Sequence, residues 1–531
     1  MQDEISTDTI VNNYIKEIKA DYEQKINNYE HQISKLKKQT IALENKYLAM
    51  KEERDLLLYK RFGRSSEEAF TDEKQMYLFT SECEPSEQDS ITETEEVSEV
   101  KSYQRKKPGR KPIDPNIRRE ERIIDILESE KTCACGNKMT QIGQETSEKL
   151  EIIPMKIFVD RMIRPKYACR SCEGTEDEEK PAVKIAPVEP SMINRSITSP
   201  SLLSTIITGK FEDHLPYYRQ EKQFARIGVE ISRQDMSNWQ QQVYNRLTPL
   251  MDLMKKTVKS GPVIQMDETV IQVMGEEGRE NTRMSYMWLA RGGPPDKKVI
   301  WYEYHKSRAG KHAKEILEGY SGYLQTDGYI GYDTAIKDMP GIIHVGCFAH
   351  ARRKFFEASK AAKKSLSAEE GIKHIRMLYF LEDELRSQKL NEEFFLKERK
   401  ARAEPILDNF KRWLLKRENE ILPSGLLGQA VTYTLNQWEK MIRYLENPQL
   451  TPDNNACENA IRPFVLGRKN WVFSGSPEGA KSSCGLYSLI ETAKQNSIIP
   501  FEYFMALFKK APLASTGEDW EKLLPWNIFS S

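Results

Sequence analysis

From residue 15 an apolar side chain returns at every seventh position: Ile15, Tyr22, Tyr29, Leu36, Leu43, Met50 and Leu57. No Gly or Pro interrupts residues 8–58. An apolar repeat of 3.5 residues holds one stripe of a helix in register with a partner helix, so this stretch predicts a coiled coil. Ile26, Ile33 and Tyr47 fill the companion seam, which Lys19, Thr40 and Arg54 interrupt. A long amphipathic helix lying on its own protein would carry the same stripe. The unbroken main seam favours self-association, and its tyrosines imply modest stability, with a homodimer or higher oligomer as the expected product.

With 531 residues the chain is too long for one core, and two to four domains are expected. Lys and Arg number 80 and so do Asp and Glu, giving a formal net charge of zero. Nucleic-acid binding must then come from local clusters. No apolar run approaches the roughly 18 residues a bilayer requires, and the opening MQDEISTDTI lacks the layout of a signal peptide. A soluble, cytoplasmic protein with no membrane partner is expected.

Residues 59–120 read as a disordered linker, first acidic (EQDSITETEEVSEV) and then basic (KSYQRKKPGRKP). In the basic half, Lys106, Lys107, Arg110 and Lys111 flank a Pro-Gly, a pattern similar to the minor-groove arms called AT-hooks. A solvated linker is the alternative.

Residues 121–185 hold two close cysteine pairs, Cys133/Cys135 and Cys169/Cys172. Four thiolates on two tight turns suit tetrahedral, structural Zn²⁺, and the intervening MTQIGQETSEKLEIIPMKIFVDRMIRPKYA reads as the strands of a zinc-ribbon-like segment. A redox pair or incidental cysteines are the alternatives. Residues 195–255 follow a helix-turn-helix-like plan: a helical run, Gly228, then a helix capped by Ser232. Arg233, Gln234 and Asn238 would stand near the start of that second helix as DNA contacts, although helix pairs that only pack are common.

Residues 261–359 change to strand chemistry. Three alternating strands are followed by helix, strand, helix, strand and helix, with Asp267 inside the first strand and Asp327 ending the fourth. Residues 360–450 read as a charged helical insertion. Residues 451–476 place Glu458 early on a helix, followed by Arg462, Arg468 and Lys469, and residues 477–531 form a C-terminal helical region. Asp267, Asp327 and Glu458 converge only if their elements are neighbours, as in a ribonuclease-H-like mixed α/β sheet. Glu458 and Arg462 also fit a plain surface ion pair. Three converging carboxylates call for cations, two Mg²⁺ (or Mn²⁺) ions of the kind used in phosphoryl transfer. Alternation along the strand sets Glu268 on the opposite face from Asp267. Asp453 is expected to support the helix N-terminus. A kink or stop near Pro463 would swing Arg468, Lys469 and Trp471 towards DNA, a buried tryptophan being the plainer reading of Trp471.

The motifs MDET, QTDGYIGYD, GCFAHARRKF and NNACENAIRPFVLGRKNWVFSGS resemble those of the insertion-sequence-66 family of DDE transposases. The likeness extends from the N-terminal heptads through CACG…YACRSC and HLPYYRQEKQFARIGVEIS to SLIETAKQN and LPWN. It implies a multidomain α+β chain whose catalytic triad is Asp267, Asp327 and Glu458. Cys347 and His350 are similar to a C-x₂-H element and would support the active site, with a buried structural histidine as the alternative. Arg352, Arg353, Arg462, Arg468 and Lys469 would then hold phosphates. The implied function is binding of insertion-sequence ends, metal-dependent cleavage and strand transfer on double-stranded DNA. It carries accessory proteins of the same element as candidate partners, and a nucleoid location in a prokaryotic cytoplasm. A catalytically inactive, repressor-like DNA-binding oligomer and a junction-type nuclease of the same fold are the rival readings.

Overall fold

The structure, a computed structural model, describes residues 7–62, 119–121, 123, 125, 131, 137–138, 147–150, 156–168, 183–361 and 366–529. The basic cluster Lys106–Lys111 and the four cysteines Cys133, Cys135, Cys169 and Cys172 lie outside these residues. The chain divides into two compact units, Pro85–Val188 and the remainder, Met1–Glu84 with Glu189–Ser531.

In the smaller unit, β1 (Lys166–Ala168) pairs antiparallel with β2 (Val183–Ile185), Tyr167 standing opposite Lys184. Residues 156–165, expected to continue as strand, carry no ladder. Their apolar side chains Phe158, Val159 and Ile163 are exposed, so no buried face fixes a register there.

The larger unit begins with α1 (Thr7–Phe62), a single helix that runs four residues past the predicted end of the heptads. Its seam side chains Tyr22, Ile26, Tyr29, Ile33, Leu36, Leu43 and Met50 are exposed along one chain, as a stripe reserved for another helix would be. Among the described residues, its C-terminal turns dock, through the buried Leu56.

Four helices precede the sheet: α2 (Pro200–Phe211), α3 (Tyr217–Arg226), α4 (Arg233–Arg246) and α5 (Thr248–Val258). Ser199 and Ser232 cap α2 and α4 by accepting backbone N–H groups, and Gly228, at φ 81°, makes the turn into α4. This helical region shares one continuous core with the sheet, Phe211, Met236, Val243 and Met254 packing with Trp288, Tyr302 and Tyr487.

The sheet is built from β3 (Val263–Val273), β4 (Met284–Gly292), β5 (Val299–His305), β6 (Gly322–Gln325) and β7 (Ile342–Val345). Helices α6 (Gly310–Leu317) and α7 (Ile330–Ile336) cross over between strands, and α8 (Phe348–Ala361) leaves the last one. The strand order is β5-β4-β3-β6-β7, with β3–β4 and β4–β5 antiparallel and β3–β6 and β6–β7 parallel. Three antiparallel strands followed by two parallel ones is the mixed order expected from the sequence.

The insertion comprises α9 (Leu366–Ser387), α10 (Glu392–Glu418) and α11 (Leu426–Met441). With α8 these helices enclose a second core around Phe355, Phe410, Trp413 and Trp438. The end of α1 docks here: Glu52 accepts the Leu426 N–H at 2.8 Å and Lys60 pairs with Glu357 at 2.6 Å. Then come α12 (Asn455–Trp471), the two-residue strand β8 (Phe473–Ser474) beside the end of β3, α13 (Pro477–Gln495) and α14 (Pro500–Lys510). Among the described residues, no helix is long and apolar enough to cross a membrane.

Candidate active site

The parallel pairing of β3 with β6 aligns Gln265 with Gln325. Asp267 and Asp327 each lie two residues beyond that pair, so sheet register sets the two aspartates level with each other, Asp267 inside β3 and Asp327 just past the end of β6. Gln265 accepts from Arg291 at 2.9 Å and donates to Gln325 at 2.8 Å, which ties β3, β4 and β6 together under the two acids.

Glu458 arrives on the first turn of α12, whose entry is fixed from three sides. Gln325 donates to the Thr451 carbonyl at 2.7 Å, and the Phe348 N–H donates to the Pro452 carbonyl at 2.9 Å. The buried Asn454 donates through Nδ2 to the Met266 carbonyl at 3.0 Å, and its own N–H points to the Cys347 sulfur at 3.3 Å. Asp453 accepts the Asn455 N–H at 3.0 Å, the role at the helix start expected of it. Burial lifts the Asp453 carboxyl to about 6.

The electrostatics record the convergence. Burial first, and then the carboxylates of Glu268, Glu458 and Asp327, hold Asp267 well above the usual carboxylate range. Glu458 Oε1 is buried without a hydrogen-bond partner, and so is His350 Nδ1, 3.9 Å away. Arg353 Nη2 lies 3.6 Å from Glu458 Oε2. Burial lowers the affinity of His350 for a proton, which keeps its imidazole neutral. Cys347, His350 and Glu458 bring their ligand atoms within 4.8 Å of one another.

Glu268 departs from expectation. Alternation sets it on the other face from Asp267, yet it is not outside the site: Arg308 Nε donates to it at 2.5 Å and the Tyr332 hydroxyl donates to its second oxygen. Arg308 also stacks on Tyr329, 3.9 Å from the ring centre, with Nη2 3.9 Å from Asp327. Arg308 does not stand out in the sequence, because a lone arginine after a strand carries no spacing signal, and Tyr332 lies within QTDGYIGYD without a role that the motif announces. Tyr433 of the insertion is another contact that the sequence hides. A Cβ on Gly328, the residue after Asp327, would come 2.7 Å from its hydroxyl.

Helix α12 continues through Pro463 to Trp471, so it does not stop there, one of the two outcomes expected of that proline. Cys457, Ala460, Ile461 and Phe464 bury its inner face, which outweighs the cost of about 3 kcal/mol that an interior proline imposes. Trp471 packs edge-on against Phe464 at 5.5 Å, the plainer of its two readings. Arg468 donates to the Thr269 hydroxyl at 3.0 Å and to the Val270 carbonyl, so it braces α12 on β3. Lys469 is exposed and Arg462 is half-buried. Arg352 is buried, whereas Arg353 faces Glu458. On α4, Arg233, Gln234 and Asn238 are all exposed, Gln234 donating to Asn238 at 3.0 Å.

Comparison with known proteins identifies the family. Residues 130–173 match the zinc-finger binding domain of transposase IS66, residues 49–122 the family described as Transposase C of IS166 homeodomain, and residues 488–526 the IS66 C-terminal element. Two uncharacterised proteins of Sinorhizobium fredii (strain NBRC 101917 / NGR234) are similar over most of their length. The protein y4hP is 31% identical over 450 residues, 81% of this chain and 79% of its own. The protein y4jD is 30% identical over 418 residues, 76% of this chain and 79% of its own. The match to the Transposase IS66 family itself spans residues 195–482, from the helices before the sheet to the first turns of α13, and with it the chain belongs to the IS66 family of transposases.

Proposed function

We propose that the chain cuts DNA at the ends of an insertion sequence and joins the exposed 3′-hydroxyls to target DNA, with Asp267, Asp327 and Glu458 as the metal-binding acids. The observation that carries this reading is the crowding of acids at Asp267 together with a buried, unpartnered oxygen on Glu458. An uncompensated cluster of this kind fits divalent cations bound by hard oxygen ligands. Bound there, Mg²⁺ or Mn²⁺ supplies charge that stabilises the attacking and leaving oxygens of phosphoryl transfer.

The protein's own groups do the rest. Asp267 and Asp327 present their carboxylates from a rigid sheet, and α12 lowers Glu458 onto them. Arg353 stands where it would meet a phosphate beside Glu458, and neutral His350 offers a donor or an acceptor at the same place. Arg308 holds Glu268 so that this fourth carboxylate stays occupied and does not compete for the cations. The exposed start of α4, the cysteine quartet acting as a structural Zn²⁺ site and the basic linker would bind element ends. The exposed seam of α1 would pair two copies and so two ends, as a homodimer or higher oligomer.

The test is a Mg²⁺-dependent nicking and joining assay on element-end DNA with wild type and Asp267→Ala. Wild type is expected to nick and join while Asp267→Ala binds ends and does neither. Undiminished cleavage by folded Asp267→Ala would overturn the assignment.

A further inference from the structure

A second group of ligand-type side chains stands apart from the three acids, at the junction of β5 and α6. His305 is the last residue of β5, and His312 and Glu315 lie one turn apart on α6. Their ligand atoms all come within 4.8 Å of one another. The two imidazoles stack with centroids 4.2 Å apart and planes 30° apart. Both Nδ1 atoms face the same carboxylate oxygen, Glu315 Oε2, at 3.1 Å from His312 and 3.8 Å from His305.

The far side of each ring faces a polar group, hydrogen-bonded at His312, whereas His305 Nε2 is buried without a hydrogen-bond partner. His312 Nε2 lies 3.0 Å from the Ser307 hydroxyl, and His305 Nε2 lies 3.2 Å from Glu303 Oε1. Glu303 is fixed in turn by Trp301 Nε1 at 2.9 Å and by Lys255 at 3.0 Å. Metal-binding histidines commonly have their second nitrogen engaged as that of His312 is, by a polar group that sets tautomer and ring orientation. A hydrogen bond between His312 and Glu315 explains that pair alone. It leaves unexplained why a second, largely buried imidazole is stacked beside it with Nδ1 beyond hydrogen-bond reach of the same oxygen.

We propose that His305, His312 and Glu315 bind a first-row transition-metal ion of the zinc class, which pins the segment between β5 and α6. Zinc bound by two imidazoles and one carboxylate sets neighbouring ligand atoms about 3.3 Å apart, close to the 3.1 and 3.8 Å between Glu315 Oε2 and the two Nδ1 atoms, and the stacked rings must turn apart for both lone pairs to meet one ion. Glu315 is more than half exposed, so the ion has an entry path and a fourth position open to water. Imidazole ligands select zinc over magnesium, which separates this site from the acid cluster.

Its consequence runs through Arg308. Residues 306–311 form a short segment closed at its base by the stacked histidines, and from its middle Arg308 reaches Glu268 and lies 3.9 Å from Asp327. A metal at the base would fix the arm that keeps Glu268 engaged.

The experiment measures bound zinc per full-length chain after chelator treatment and dialysis against Zn²⁺, in wild type, Glu315→Gln, His312→Asn and Cys169→Ser. Glu315→Gln and His312→Asn are each expected to lose one equivalent, or to bind it at least about tenfold more weakly, with unchanged circular dichroism. Excess Mg²⁺ should not displace that equivalent, and Cys169→Ser should keep it. Substituted Co²⁺ at this site should show visible bands without the thiolate charge transfer of a cysteine site. If His312→Asn fails to fold, Glu315→Gln decides, because its side chain is largely solvent-facing. Zinc content equal to wild type in Glu315→Gln would overturn the proposal, leaving a hydrogen-bonded His–Glu pair.

Discussion

The sheet and the helical insertion deliver the acids by different means. Asp267 and Asp327 need only the pairing of β3 with β6, a local backbone register that a few strand residues specify. Glu458 follows α9–α11, and its entry depends on side chains far away in sequence. Arg399, fully buried on α10, donates to the carbonyls of Tyr444, Asn447 and Leu450 at 2.8, 2.9 and 3.0 Å and pairs with Glu382 at 2.6 Å. Arg386 adds bonds to the carbonyls of Pro448 and Leu450 at 3.2 and 2.9 Å. Two acids are set by register and one by a polar clamp, so the insertion is part of the machinery that places Glu458.

The largest effect should come from removing an acid set by the sheet. Asp327→Asn is expected to lower Mg²⁺-dependent end cleavage by roughly 10³-fold, the several kcal/mol that metal charge stabilisation supplies, with end binding retained. Near-normal cleavage by a folded Asp327→Asn would remove the sheet from the comparison.

Next, Arg399→Met tests the clamp. It takes one donor from each of three carbonyls and one of two cations from the buried Glu382, which keeps Arg386 at 2.7 Å, at a cost of about 3 kcal/mol in denaturant unfolding. Cleavage should fall although all three acids remain. Full cleavage in a folded Arg399→Met protein would show that Glu458 reaches its place without the insertion.

Asn454→Ala should cost about 1–2 kcal/mol, because the Met266 carbonyl beside Asp267 loses its donor. Its cleavage defect should exceed that of an exposed control such as Gln388→Ala. Equal defects would mean that the link from α12 to β3 is incidental.

The smallest effect concerns Asp333, where the insertion meets the sheet. A hydrogen bond from His344 and a pair with Lys440 hold its carboxyl at about 2. An unfolded aspartate titrates near 3.9, so this contribution is complete above about pH 4 and fades as pH falls towards 2. Asp333 is partly exposed, which limits its worth to about 1 kcal/mol or less. Asp333→Asn should flatten the acid arm of a stability–pH curve between those values, and an unchanged arm would remove this contact from the account.

Much of the sheet could be read in advance, because alternation and turn residues mark β3, β4 and β5 and short apolar runs mark β6 and β7. Asp267 and Asp327 stood out for the same reason. Contacts that join distant segments stayed hidden, since no periodicity announces that Arg399 will meet Leu450, that Tyr433 will cover Gly328 or that Arg308 will hold Glu268. The helices of residues 195–255 read as a separate module, yet their apolar faces complete the core beneath the sheet. Pro463 misled as a stop because local propensity was weighed without the buried face of α12, which tertiary packing favours.

The central claim is that Asp267, Asp327 and Glu458 crowd one place that divalent cations relieve, and thermal stability against Mg²⁺ concentration tests it most directly. Wild type should melt at a higher temperature as Mg²⁺ rises, whereas Asp267→Asn should start higher without metal and respond little. An Asp267→Asn protein with the same metal-free melting temperature and the same Mg²⁺ response as wild type would contradict it.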